Sequence, residues 1–207
     1  VTVASEYGAT RLFDTERLRS VLDTLVHRLA DRGVEGRIYL VGGAAMALAY
    51  YDEGERRMTA DVDDWFTPVD AVDEEATAMA VELGLAGDWL NEGAVQFVPA
   101  HGLPDGTPLF KHGEFAVEVG SPRLLLAMKL RAARLGRDND DIAVLLRRCG
   151  VRSVEEARAV LDDCYDGEDR FTEKSRAIVE AALGEYPVLS AIPPFTLPPV
   201  NTGDSGS

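Results

Sequence analysis

The chain has 207 residues, 46% hydrophobic and 28% charged, with a net charge of −15. That length is enough to bury a substantial core, and the composition excludes a fibrous or wholly disordered protein. The negative balance disfavours broad, non-specific nucleic-acid binding, which needs clustered Lys and Arg. Local basic groups still occur at Arg56-Arg57, at Lys129, Arg131, Arg134 and Arg137, and at Arg147-Arg148, the last pair read as a solvated helix face. No apolar run approaches the roughly 18 residues of a membrane span, so no membrane partner is expected. Arg11, Asp14 and Glu16 precede any long apolar run, which is not a secretory leader pattern, and a cytoplasmic location is expected. Cys149 and Cys164 read as reduced thiols, and no paired Cys or His spacing accompanies them to suggest a metal site.

Residues 1–13 carry little pattern and read as a loose arm. Asp14-Thr15 caps a helix in which Leu18, Val21, Leu22, Leu25, Val26 and Leu29 recur at helical spacing. Gly33 is its natural stop. His27 falls on the polar side and reads as structural or solvent-exposed. Residues 38–41 read as a buried strand, 44–51 as a short alanine-rich helix, 52–57 as a polar loop and 58–66 as a second strand. Thr67-Pro68-Val69-Asp70 has the form of a helix start, with cap, proline and acid in order, and the helix runs to Gly84. Asp70, Asp73, Glu74 and Glu75 suit its positive end. A turn-like stretch at 89–93 leads to an expected strand at 94–98 and a loop at 99–108. Phe115, Val117 and Val119 alternate with Ala116 and Glu118 as in a half-buried strand. Ser121-Pro122 opens another helix, Asp138 caps the next, Ser153-x-x-Glu156 caps one over 154–164, and Thr172 opens the last, to Leu183. Residues 187–207 are rich in Pro, Gly and Ser and read as an extended tail.

Two stretches carry chemistry. In the first, Leu40-Val41-Gly42-Gly43-Ala44-Ala45 is followed by Thr59-Ala60-Asp61-Val62-Asp63. Alternate residues of a strand point the same way, so Asp61 and Asp63 share a face. Two carboxylates a few ångströms apart repel unless a cation lies between them, and Mg²⁺ takes oxygen ligands of this kind. A Gly-Gly turn at a helix start offers backbone N–H groups to an anion. The bland alternative is a βα unit with a polar strand. In the second stretch, Lys129 sits inside an apolar helix, where a lysine must snorkel to water or meet an anion. Asp138 and Asp141 follow, three apart on one face; the bland alternative is a helix hairpin with Asp138 as a plain cap.

The glycine pair, short helix and Asp-x-Asp strand resemble motif I of the polymerase-β-like nucleotidyltransferases. Lys129 followed by Arg137-Asp138-x-x-Asp141 resembles the second half of the AbiEii and MenT-like nucleotidyltransferase toxins. The likeness spans about residues 35–150, by the order of elements. It implies an α/β fold: a small mixed sheet with packed helices over 1–120, a helical C-terminal part over 121–186, and the tail. It further implies transfer of nucleotides from an NTP to the 3′ end of tRNA, with a cognate antitoxin as protein partner. Asp61 and Asp63 would hold Mg²⁺, with Lys129 and Asp141 as their catalytic companions. Gly42, Gly43, Thr59, Arg57 and Lys129 would bind the nucleotide, and Arg131, Arg134 and Arg137 the acceptor, in a strip with Arg56 and Arg57. The chain departs from the family in three ways: Gly43 stands where motif I has serine, Asp64 adds an acid after the pair where an apolar residue would fit the strand better, and no third carboxylate is secure, Glu118 being the nearest match. These departures leave open an inactive binding or regulatory module, or an adenylyltransferase acting on a small molecule or protein.

Overall fold

In the computed structural model, residues 13–51, 58–59, 61–166 and 171–185 are described; Arg56, Arg57, the 52–57 loop, the arm before Phe13 and the tail lie outside them. Helix α1 (Thr15–Asp31) begins where the Asp14 carboxylate accepts the Arg17 N–H and buries the six apolar residues of its stripe. Strand β1 (Gly36–Leu40) follows. The next helical segment starts at Gly42, as α2 (Gly42–Ala45), and widens into a π-turn over Met46–Tyr50. β2 (Val62–Thr67) leads into α3 (Val69–Leu83), which ends on left-handed Gly84. Pro68 itself occupies the cap position of α3, with no side-chain cap bond, so Thr67 does not cap as expected. Glu74 and Glu75 serve as ion-pair partners of Arg32, and Glu75 and Glu82 pair with Arg28, which ties α3 to α1.

The sheet has the order β3-β2-β1-β5-β4. β1 runs antiparallel to β2 and parallel to β5 (Phe115–Val119). β5 pairs antiparallel with β4 (Thr107–His112), an edge strand that lies partly in the expected loop. Its Pro108 hides the signal and is tolerated because only an edge strand can spare an N–H. The strand expected at 94–98 is instead a 3₁₀ turn over Val95–Phe97. Pairing passes to β3 (Leu90–Asn91), parallel to Val62 and Asp63, because the ladder needs a partner for β2 and Gly93 then turns the chain away. Phe13, expected in the loose arm, is buried, bridges to Thr59 and lies against Trp89.

α4 (Pro122–Ala132) starts with Ser121 accepting the Leu124 N–H. α5 (Asn139–Cys149), α6 (Val154–Cys164) and α7 (Glu173–Glu185) follow. α4 packs on α5 and α6, and α5 on α7. The Ser175 hydroxyl donates to the buried Leu130 carbonyl. One apolar cluster joins these helices to the sheet. Arg148 is not simply solvated, because its guanidinium donates to the Tyr50 carbonyl at 3.2 Å and ties α5 to the π-turn. Among the described residues, no helix is long and apolar enough to cross a membrane.

Candidate functional site

The start of β2 with the residues before it, the start of α2, Lys129 of α4 and the α4–α5 connection meet at one cleft of about 390 Å³. β2 alternates, with Val62, Asp64 and Phe66 facing the core and Asp63, Trp65 and Thr67 on the opposite face. Asp61 lies at a bend just before the strand, yet lines the same cleft as Asp63. Burial pushes the Asp63 carboxyl above its usual value, and the neighbouring Asp61 charge adds to the effect. Arg134, Arg137 and Lys129 oppose it from across the cleft.

Glycines border Asp63, Gly43 in this cleft and Gly42 and Gly93 in the smaller space beside it. Gly42 has φ +61°, a left-handed conformation that favours glycine, and a Cβ there would lie 3.0 Å from Asp63 Oδ2. A Cβ on Gly93 would stand 3.1 Å from Asp63 Oδ1. The carboxylate is therefore bounded by two backbones that carry no side chains. A Cβ on Gly43 would meet Thr59 Oγ1 at 3.1 Å. The Thr59 hydroxyl, which donates to the Asp61 carbonyl at 2.7 Å, thus stands beside the position a serine side chain would take at 43. Asp61 and Asp63 line one cleft, the latter's charge disfavoured by burial and then by its neighbour, and carboxylate oxygens are the ligand type that a hard divalent cation takes.

Lys129 does not snorkel. Only 6% exposed, its Nζ lies 3.0 Å from Asp138 Oδ1 and 2.6 Å from Asp141 Oδ2. Asp138 is no plain cap either. It occupies the cap position of α5 without a side-chain cap bond, and its oxygens accept from the Arg134 backbone N–H and guanidinium instead. Burial pushes the Asp138 carboxyl up, but the Arg134 hydrogen bonds and the Lys129 charge outweigh it and hold it below the usual range. Asp141 Oδ1 accepts from Tyr51 Oη at 2.7 Å, so both of its oxygens are engaged. Nothing in the local sequence marks Tyr51 for this role.

Arg134 and Arg137 line the cleft, but Arg131 does not join them. α4 ends at Ala132 and Ala133 is left-handed, so Arg131 and Arg134 share no helix face. Arg131 turns to the Tyr165 ring, its guanidinium carbon 4.6 Å from the centroid. Glu118 is also elsewhere: it pairs with Arg37 at 3.1 Å, on β5, with β1 between it and β2. Beside the cleft, Phe97, Leu125 and Met128 line a smaller pocket of about 100 Å³ that also reaches Asp63 and Lys129. Asp64, behind Asp63, is 1% exposed, and neither of its oxygens has a hydrogen-bond partner among the described residues. Compared with protein-family models, with curated proteins and with solved structures, the chain matches none.

Proposed function

We propose that the chain is a nucleotidyltransferase that holds an NTP in this cleft and passes its nucleotide to a hydroxyl acceptor, the 3′ end of tRNA in the toxin-like form. One observation carries this reading: Asp61 and Asp63 face a buried lysine, itself fixed by Asp138 and Asp141, across a cleft bordered by Gly43. Asp61 and Asp63 are the residues that would hold Mg²⁺, which when bound supplies positive charge beside the phosphates. The first N–H groups of α2, at Gly42 and Gly43, have no partner within their own helix and would donate to a phosphate. Lys129 Nζ, pre-oriented by its two aspartates, stabilises charge that builds on the leaving pyrophosphate. With both oxygens engaged, Asp141 acts as a positioning residue for Lys129 rather than as a base. Arg134 and Arg137 bind phosphate at the rim.

The test is incubation with labelled NTPs, Mg²⁺ and total RNA. Label on tRNA is expected, and Asp63→Asn should abolish it while retaining the fold. An antitoxin encoded beside the gene would suppress the labelling. A second reading, nucleotide binding without turnover, is favoured by Glu118, which is tied to Arg37, so that among the described residues Asp61 and Asp63 are the carboxylates that line the cleft. Calorimetric NTP binding that needs Asp63, with no transfer to RNA, protein or small-molecule hydroxyls, would select that second reading.

A further inference from the structure

A second cluster lies on α1 and β4, outside the cleft. Asp23 and His27 are one helical turn apart on α1, and such pairs share a face. His112 ends the edge strand β4. The fold brings these three residues together although Asp23 and His112 are 89 positions apart. Each offers a ligand atom, and the three atoms lie within 4.8 Å of one another. His112 Nε2 is 2.9 Å from Asp23 Oδ1, and His27 Nδ1 is 3.5 Å from Asp23 Oδ2. The two imidazole centroids are 3.4 Å apart, with the planes tilted by 33°.

We propose that Asp23, His27 and His112 form a binding site for a borderline divalent transition-metal ion of the zinc type, which ties β4 to α1. Ligands on bonds of about 2.0–2.2 Å around a tetrahedral ion sit roughly 3.3 Å from one another, and the two nitrogen–oxygen separations bracket that value. Two imidazoles and one carboxylate suit zinc better than Mg²⁺, which prefers an all-oxygen shell. Three protein ligands leave a position for water, and that position has room because His27 is exposed and the other two residues are only half-buried. The location also gives the ion a purpose. β4 is the outer strand of the sheet, paired on one side only, and a ligand from it with two from α1 would fasten that edge. The competing account needs no ion and predicts that none binds: Asp23 bonds to His112, His27 Nδ1–H donates to the Asp23 carbonyl at 3.0 Å, a bond that the ion would have to displace, and the two rings stack.

The full chain carrying Asp61→Asn and Asp63→Asn, stripped with a chelator, is titrated with Zn²⁺ by calorimetry, so that the cleft carboxylates do not contribute. One ion per chain is expected, with a rise in Tm. His27→Ala and His112→Ala, added singly, should each weaken binding by about tenfold or more, and His101→Ala should leave it unchanged. His27 is exposed, so its variant decides the matter even if His112→Ala folds poorly. No zinc binding by the background chain, or binding that His27→Ala leaves within a few-fold, would overturn the site.

Discussion

Lys129 stands on a helix of leucines and alanines, where an aliphatic residue satisfies the packing pattern. Its ammonium instead compensates two carboxylates, Asp138 and Asp141, that are fully buried. Removing one member of such a group strands the others, a loss of roughly 3–5 kcal/mol. Lys129→Met should therefore destabilise the chain by about that amount in urea unfolding; unchanged stability would mean that water reaches the aspartates. Asp138 makes the same point through pH. Its carboxyl is held below the usual range, so its contribution is complete above the unfolded value of about 4 and is lost as pH falls through the folded value. Asp138→Asn should be less stable than wild type at neutral pH, and the gap should close in acid; a gap independent of pH would contradict the assignment. Asp64 works in the opposite sense. Both of its oxygens are buried and unpartnered among the described residues, and burial pushes its carboxyl well above the usual range, aided by Asp63. Unpaired polar burial costs about 1–3 kcal/mol on protein scales, so Asp64→Val should raise stability at neutral pH, by thermal or urea unfolding. A loss would show that Asp64 has a partner in solution.

At the scale of elements, the junction of β1 with α2 and the approach to β2 behave as one unit. Gly42 bends in a left-handed conformation against Asp63, and Gly43 faces the Thr59 hydroxyl. Motif I of the family this stretch resembles has a serine at this corner, and Thr59 places a hydroxyl beside that position from the neighbouring segment. Gly43→Ser alone should crowd Thr59 and lower transfer, and Thr59→Ala alone should lower it by removing the hydroxyl. The double variant, with serine at 43 and alanine at 59, should recover much of the wild-type rate. Strictly additive losses in that cycle would show that the two positions do not share a site. The π-turn after α2 belongs to the same corner, since it ends just before Tyr51, whose hydroxyl holds Asp141. Such turns often accompany functional positions.

At the scale of the molecule, a net charge of −15 repels RNA at long range, so an RNA acceptor must be held by the few cations at the cleft. Of the strip expected in the sequence, the structure describes Arg131, Arg134 and Arg137. Arg131 is occupied by Tyr165, while Arg134 and Arg137 face the cleft. Each phosphate contact to a single strand adds about 0.7 to the salt slope of binding. Arg137→Gln should thus weaken tRNA binding and flatten the slope by about 0.7, while Arg131→Gln should leave the slope unchanged. Equal slopes for wild type and Arg137→Gln would place the acceptor elsewhere.

Much of the molecule is legible in the sequence because it is local. The α1 stripe, the Ser121 and Ser153 caps, the Gly84 stop and the alternation of β5 depend on neighbours within a few residues. The likeness of the Gly-Gly and Asp-x-Asp stretches to a known motif points to the candidate carboxylates in the same way. β4 and the two-residue β3 are not legible there, because Pro108 breaks one pattern and the other exists only through its pairing to Val62 and Asp63. The state of Lys129, the engagement of Asp138 away from its cap, the loss of Arg131 from the strip and the meeting of His27 with His112 are decided by tertiary packing alone. Each depends on which distant residue arrives at a given side chain. For buried charges, that partner determines both the energy and the chemistry, and spacing along the chain does not encode it.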